Sequence, residues 1–199
     1  MATPNNSTVT PSSFISLFLR ANESKEIPRT GWGMHGIHDP ESVAEHTYSL
    51  SFLTLQLSPI LSDRLNYPLN VNKLVKMAIL HDFGEIETGD IVVSRGSKID
   101  LQLRTVKEER EKRGIKKLFK ETDKSNLAVN LFSEMIERET LETKIFWQLD
   151  KLDMAIQALY YEQKEGKDLS EFFENAKAHI SDEFLLELLT EVTSRRPKK

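Results

Sequence analysis

The sequence contains no cysteine, so disulfide bonds and thiolate metal sites are excluded. Any metal ion must then be held by imidazole and carboxylate groups. No apolar run approaches the length of a membrane span, and residues 1–13 lack the apolar stretch of a signal peptide. We therefore expect a cytoplasmic protein without a membrane partner.

Glycine and proline are scarce, with 8 and 7 among 199 residues, and alternating strand patterns are missing. Both observations favour an all-α fold. The length suits one hydrophobic core, and no repeat or linker divides the chain. We expect one domain over residues 13–194, a flexible N-terminus over residues 1–12 and a flexible basic tail over residues 195–199.

The net charge of -4 argues against general nucleic-acid binding, because that binding depends on neutralising phosphates with Lys and Arg. A small anionic substrate in a local site is still compatible with this charge. The run KEEREKR, residues 107–113, mixes both signs within one expected helix. Such a run is typical of a solvated helix face, and we interpret it so rather than as a binding patch.

Hydrophobic spacing and capping residues predict the helices. Four apolar residues at helical spacing indicate the first helix: Phe14, Ile15, Phe18 and Leu19. The second helix is expected to begin at Asp39 and Pro40, since Asp is a good N-cap and Pro suits the first helical position. The predicted helices cover residues 12–22, 39–57, 70–82, 100–119, 126–137, 141–165 and 170–193, with loops at 23–39 and 89–98.

Four ionisable residues lie on apolar helices. His81 and Asp82 form a doublet at a helix end, and adjacent helical residues point about 100° apart. Both reach one ion only where the helix ends or loosens, and Gly84 supplies that loosening. His46 lies on another helix. Asp150 is embedded in a third apolar helix, where a carboxylate is costly unless it is paired or bound to a cation.

Each of these residues also has an ordinary structural interpretation. A single helical His is more often structural than a ligand, and Asp150 could pair with Lys144 or Lys151. The order His, His-Asp, Asp on separate helices favours one metal site instead. Its predicted ligands are His46, His81, Asp82 and Asp150. This ligand set suits one divalent ion such as Mn, Co, Fe, Ni or Zn, with Mg also a candidate and Ca less suitable.

The order H…HD…D on an all-helical chain resembles the HD superfamily of metal-dependent phosphohydrolases, and within it the HD-containing 5′-deoxynucleotidases. The matching stretches lie within about residues 14–161. They are Arg29-Thr30-Gly31-Trp32, Glu41-Ser42-Val43-Ala44-Glu45-His46, His81-Asp82-Phe83-Gly84-Glu85, Thr88-Gly89-Asp90 and Gln148-Leu149-Asp150-Lys151-Leu152. The resemblance implies an HD-domain helical bundle with the metal site between central helices. It also implies hydrolysis of deoxynucleoside 5′-monophosphates to deoxynucleoside and phosphate, and a homodimer.

The resemblance assigns catalytic roles to Glu85 and Asp90. Glu85 follows Asp82 by one helical turn, and its carboxylate would orient water or accept its proton. Asp90 would contact the sugar or position the attacking water. The structural alternatives are a helix-surface Glu85 and a turn residue at Asp90.

The resemblance also places Trp32 beside the sugar and phosphate, where it would help to exclude a 2′-hydroxyl. A loop Trp could instead simply cover the core. The bacterial members carry Arg immediately before this Trp, where the chain has Gly31, so the phosphate-binding cation must come from elsewhere. The candidates for that cation are Arg29, Arg95 and Lys98. The complete set predicted to bind substrate is Arg29, Trp32, Asp90, Ile91, Val92, Val93, Arg95 and Lys98.

Three other functions are open on the residues alone. Hydrolases of guanosine alarmones typically carry Glu-Asp at the third and fourth positions after the doublet. This chain has Glu85-Ile86 there, which argues against that activity. Cyclic-nucleotide phosphodiesterases usually need further His and Asp ligands, and no obvious set is present. A non-catalytic dimerisation module would use a closed structural metal site, whereas a catalytic site keeps positions open.

Overall fold

The computed structural model describes residues 9–95 and 98–197, and it confirms the expected all-α fold. A 3₁₀ turn at Glu23–Glu26 follows the first helix, and two short antiparallel strands lie between the fifth and sixth helices. The strands are β1 (Ser94–Arg95) and β2 (Lys98–Ile99). The helices are α1 (Pro11–Asn22), α2 (Thr30–Met34), α3 (Val43–Leu65), α4 (Val71–Leu80), α5 (Glu85–Thr88), α6 (Leu101–Leu118), α7 (Leu127–Glu137), α8 (Leu141–Glu165), α9 (Ser170–His179) and α10 (Glu183–Ser194).

Helix α3 begins later than predicted, and it also ends later, at Leu65. The prediction of a start at Asp39 is wrong, because Ser42 is the N-cap. The Ser42 hydroxyl accepts a hydrogen bond from the backbone N–H of Glu45, and the Glu45 carboxylate accepts one from the Ser42 N–H at 2.7 Å. This capping box fixes the helix start and places His46 one turn inside α3.

The last predicted helix, residues 170–193, is two helices. Ile180 has extended backbone angles and ends α9, and the Asp182 carboxylate caps α10 by accepting from the Leu185 N–H at 3.0 Å. Gln148 of α8 fills the break, since its side-chain oxygen accepts from the backbone N–H of Ser181 at 2.7 Å. The two helices therefore change direction beside α8.

Helix α8 is the central helix of the bundle, and it packs against α3, α4, α9 and α10. The core between these helices includes Leu50, Leu74, Met77, Leu149 and Leu152, all with no exposed surface. The predicted metal ligands come from α3, the end of α4 and α8. Because these three helices contact one another, their inward polar residues meet inside the bundle.

Both segments expected to be flexible contain ordered residues. Pro11 begins α1, which Thr10 caps. In the basic tail, Arg196 donates to the Glu162 carboxylate at 2.8 Å and its guanidinium lies 4.3 Å from the centre of the Phe173 ring. Residues 1–8, 96–97 and 198–199 lie outside the described part of the chain. Among the described helices, none combines the length and apolar character needed to cross a bilayer.

Candidate metal centre

Three of the four residues predicted as metal ligands meet at one point in the bundle, and the fourth, Asp82, lies beside them. One ligand atom each of His46, His81 and Asp150 lies within 4.8 Å of the other two. The Asp82 carboxylate is adjacent, with Oδ2 3.0 Å from His81 Nε2 and 3.9 Å from His46 Nε2. All four residues are buried. The arrangement offers two imidazole nitrogens and the Asp150 carboxylate to a single position, with the Asp82 carboxylate next to it.

Each imidazole is oriented by an acceptor behind it. His46 Nδ1 lies 3.0 Å from Asp153 Oδ2, and His81 Nδ1 lies 2.9 Å from the carbonyl oxygen of Ala78. With Nδ1 donating, Nε2 of each ring presents a lone pair. These two Nε2 atoms are 3.2 Å apart. Two such lone pairs repel unless a proton or a metal ion lies between them, so the pair suits a divalent metal ion.

The charges around His46 also favour a cation. Burial and Arg29 lower its pKa, but Asp150 and Asp153 outweigh them and raise the pKa of His46 to about 10. Lys151 Nζ lies 2.9 Å from Asp150 Oδ2, while Asp150 Oδ1 lies 3.3 Å from His46 Nε2. Asp150 therefore has both a lysine partner and an oxygen that faces the candidate metal position.

Arg29 is the candidate phosphate-binding cation that the structure brings to the centre. Its guanidinium donates to the Asp82 carboxylate and lies 3.9 Å from both Glu85 Oε2 and Asp90 Oδ1. Asp90 in turn accepts from the Thr30 backbone N–H at 2.5 Å, and the Thr30 hydroxyl donates to the Asp90 carbonyl at 2.9 Å. These bonds join the Arg-Thr-Gly-Trp stretch to the Thr-Gly-Asp loop.

Trp32 is both a core residue and a wall of the cavity beside the centre. It is only 2% exposed, and its ring stacks on Phe172 with centroids 4.1 Å apart. Its indole N–H donates to the Glu41 carboxylate at 2.9 Å. The hydrogen bond and the stacking fix the orientation of the indole. The part of the ring that faces the cavity can contact a substrate only by packing against it.

Glu85 lies behind the cavity wall. It has no exposed surface, and it is not among the described residues that line the cavity. Its Oε1 lies 2.8 Å from Lys107 Nζ. Burial and the neighbouring Asp82 raise the pKa of Glu85 well above its ordinary value, against the opposing charges of Lys107 and Arg29. The Glu85 carboxylate thus lies next to the centre and is paired with two cations, Lys107 and Arg29.

The centre opens into a cavity of about 560 Å³. Of the predicted substrate-binding residues, Ile91, Val92 and Val93 line it, as do Arg29, Trp32 and Asp90. Lys98 is exposed on β2 and is not among the lining residues described. The side chain of Arg95 lies outside the described part of the structure. The cavity is large enough to enclose a small nucleotide, since ligand pockets commonly hold about 300–1,000 Å³.

Sequence reasoning missed the contribution of α6 to this cavity. The interpretation of residues 107–113 as a solvated face is wrong in part, because Lys107 and Glu111 point inward. Four polar side chains of the helix line the cavity: Arg104, Lys107, Glu108 and Glu111. Their spacing of i, i+3, i+4 and i+7 marks one helix face. That spacing was the available signal, but periodicity in an all-charged helix does not indicate which face is buried.

The HD domain family model matches residues 21–189, which is most of the chain, so the protein belongs to the HD domain family. Among curated proteins it is similar to 5'-deoxynucleotidase HDDC2 of Danio rerio, with 32% identity over 178 residues that cover 87% of this chain and 83% of the relative. It is also similar to 5'-deoxynucleotidase hdd1 of Schizosaccharomyces pombe, with 31% identity over 156 residues, 74% of this chain and 73% of the relative. Among solved structures, a conserved hypothetical protein from Pyrococcus furiosus matches with a TM-score of 0.71 and 37% identity, covering 90% of this chain and 99% of that one.

Proposed function

We propose that the protein is a metal-dependent phosphomonoesterase that converts deoxynucleoside 5′-monophosphates to deoxynucleosides and phosphate. The observation that carries this proposal is the facing pair of imidazole nitrogens, with Asp82 and Asp150 beside them, at the wall of a nucleotide-sized cavity. The two curated relatives are both named as 5'-deoxynucleotidases and match over most of the chain.

The proposed ligands are His46, His81, Asp82 and Asp150, and the ion would be Mn, Co, Fe, Ni, Zn or Mg. When bound, such an ion would activate water and neutralise charge on the phosphoryl group. Four protein ligands leave two positions free on an octahedral ion, which suits catalysis better than a closed structural site.

The other proposed site residues have different roles, which follow from their positions. Arg29 lines the cavity beside Asp82, and its N–H groups would hold phosphate oxygens. Asp90, which accepts a hydrogen bond from Thr30, would orient water or the sugar. Glu85 would accept or direct the proton of the attacking water. Trp32 and the segment of residues 91–93 would pack against the sugar and base.

A phosphate-release assay tests this proposal. The purified protein would be freed of metal, reloaded with each of the six ions, and given deoxynucleoside and ribonucleoside 5′-monophosphates, a guanosine alarmone and a cyclic nucleotide. We expect phosphate release from deoxynucleoside monophosphates with at least one ion. Activity only on the alarmone or the cyclic nucleotide would replace the proposed substrate. Inactivity on all of them with a firmly bound ion would indicate a structural metal site.

We also propose that one HD domain over residues 13–194 acts in the cytoplasm as a homodimer. Helix α1 supports a dimer, because Phe14, Ile15, Phe18 and Leu19 are between 43% and 65% exposed along one side of it. Exposed apolar faces of this kind commonly mark interfaces. Light scattering after gel filtration would measure the mass, and Ile15→Glu with Phe18→Glu should halve it. A parent protein of monomer mass would contradict the dimer.

A further inference from the structure

Helix α6 is packed directly onto the segment that carries the doublet. A Cβ atom on Gly84 would lie 2.6 Å from Glu111 Cβ and 2.7 Å from Glu111 Cα. From the other side, a Cβ on Gly114 would lie 3.1 Å from the Gly84 carbonyl oxygen. Gly84 itself has ordinary right-handed helical angles. Its small size therefore serves close approach rather than backbone freedom, and it fixes α6 against the turn between Asp82 and Glu85.

This packing places Lys107 between two buried carboxylates. Its Nζ lies 2.8 Å from Glu85 Oε1 and 3.3 Å from Glu111 Oε1, and its side chain is only 14% exposed. Burial lowers the pKa of Lys107, but the two carboxylates outweigh burial and raise that pKa above its ordinary value. Lys107 therefore stays charged, and it is closer to Glu85 than Arg29, whose nearest distance is 3.9 Å.

The two cations contact opposite oxygens of the same carboxylate. Lys107 is near Oε1 of Glu85, and Arg29 is near Oε2. Neither Glu85 oxygen has a hydrogen-bond partner among the described residues, so these two ion pairs are the contacts that orient the carboxylate. The Arg29 contact is shared with Asp82 and Asp90, whereas Lys107 is shared with Glu111. Of the two ion pairs of Glu85, only the one with Lys107 involves a cation that is not also paired with a proposed metal ligand.

We propose that Lys107 is a positioning residue, which holds the Glu85 carboxylate in place for turnover, and that Glu111 holds Lys107. This inference rests on the proposed phosphomonoesterase activity, and it gives helix α6 a role in that catalysis. Lys107 acts through Glu85, so its loss should affect kcat while leaving the metal site intact.

A double-mutant cycle tests the inference. Lys107→Met, Glu85→Gln and the double variant would be compared with the parent in single-turnover phosphate release, with KM and metal content measured alongside. We expect Lys107→Met to lower kcat by about 10- to 100-fold, part of the roughly 10²–10⁴-fold contribution of a general base. KM and metal content should stay near the parental values. In the Glu85→Gln background the same substitution should have little further effect.

Two further variants separate positioning from simple stability. Lys107→Arg should restore part of kcat, because it keeps the charge next to Glu85. Lys116→Met is the matched control, since Lys116 is exposed on the same helix, and it should match the parent. If Lys107→Met does not fold, Glu111→Gln takes its place and should lower kcat several-fold at constant KM.

The outcomes that would overturn the inference are specific. An active parent with unchanged kcat in Lys107→Met, or in Glu111→Gln where that variant replaces it, contradicts positioning. So does a full, multiplicative loss in the Glu85→Gln background, since independent effects would then be at work. A rise in KM alone would make Lys107 a ground-state substrate contact. If the parent releases no phosphate from any nucleotide, the proposed function fails and this inference fails with it.

Discussion

Asp153 holds His46 from the side opposite the candidate metal position. Its Oδ2 lies 3.0 Å from His46 Nδ1, and its Oδ1 accepts a hydrogen bond from the Ser49 hydroxyl at 2.6 Å. Asp153 is itself buried, and its carboxylate pairs with the His46 imidazole. Such partners fix the tautomer of a ligating His and increase its basicity.

We therefore expect Asp153→Ala to weaken metal binding by about 10- to 100-fold, as is typical when such a partner is lost. Competition with a chromogenic chelator would measure the affinity. Ser49→Ala is the control, because it removes only one bond to Asp153 and should cost much less. Unchanged metal affinity in Asp153→Ala would show that His46 is not a ligand or needs no support.

Loss of a ligand should remove both metal and activity. In Asp82→Ala or His81→Ala the ion would lose one of the four proposed protein ligands, and in Asp82→Ala Arg29 also loses one of its carboxylate neighbours. Elemental analysis and phosphate release would be measured on each variant. Asp63→Ala, at an exposed position on α3, should behave as the parent. Full metal occupancy in Asp82→Ala would remove that residue from the ligand set.

Removal of the ion should destabilise the folded protein. The imidazole nitrogens of His46 and His81 would face each other without a cation, with Asp82 and Asp150 beside them. An ion that binds only the folded state contributes about 2.7 kcal/mol when its free concentration is 100 times Kd. The midpoint of thermal unfolding should therefore fall when a chelator removes the ion, and it should recover when the ion is added back. Equal unfolding midpoints with and without the ion would contradict a metal centre in the folded state.

Glu85→Gln should separate chemistry from metal binding. The substitution keeps the size of the side chain but removes its charge and its proton acceptor. The metal content should be unchanged, while kcat should fall by about 10²–10⁴-fold. Nucleotide binding should persist and could be measured by titration calorimetry. Loss of the ion would make Glu85 a ligand, and a near-parental rate would make Asp90 the better candidate for positioning water.

Trp32 is expected to determine sugar selectivity, and the structure sets how this can be tested. Trp32→Ala would create a cavity beside Phe172 at a cost of about 3–5 kcal/mol, so Trp32→Phe is the better variant. We expect the parent to prefer dAMP over AMP in kcat/KM, and we expect the variant to narrow that ratio. Comparable kcat/KM values for dAMP and AMP in the parent would refute the selectivity.

Much of the fold follows from local sequence. Helix spacing and caps depend on neighbouring residues, and five of the seven predicted helices lie within two residues of the observed bounds, although α2 lies in the predicted loop at 23–39. The start of α3 was also present in the sequence, as Ser42 followed three residues later by Glu45, but Asp39 and Pro40 offered a competing start. The break after Ile180 carries no proline or glycine, and its stabilising partner is Gln148 on another helix.

The sequence also indicated the residues of the candidate centre, because burying His or Asp on an apolar helix costs free energy unless the side chain has a partner. Local pattern alone did not predict that these residues converge. Their order along the chain suggested it, and the packing of α3, α4 and α8 produces it. The orientation of each imidazole depends on Asp153 and the Ala78 carbonyl, which no local rule connects to them.

Only the tertiary structure decided the role of α6 and of Gly84. In a helix of mixed charges every face is polar, so the sequence does not indicate which side is buried. The close approach of Gly84 to Glu111 determines that side, and it turns Lys107 toward Glu85. Local sequence specifies helices because hydrogen bonds and caps act within a few residues. The pairing of Lys107 with Glu85 depends on which two surfaces pack together, and that is a property of the whole chain.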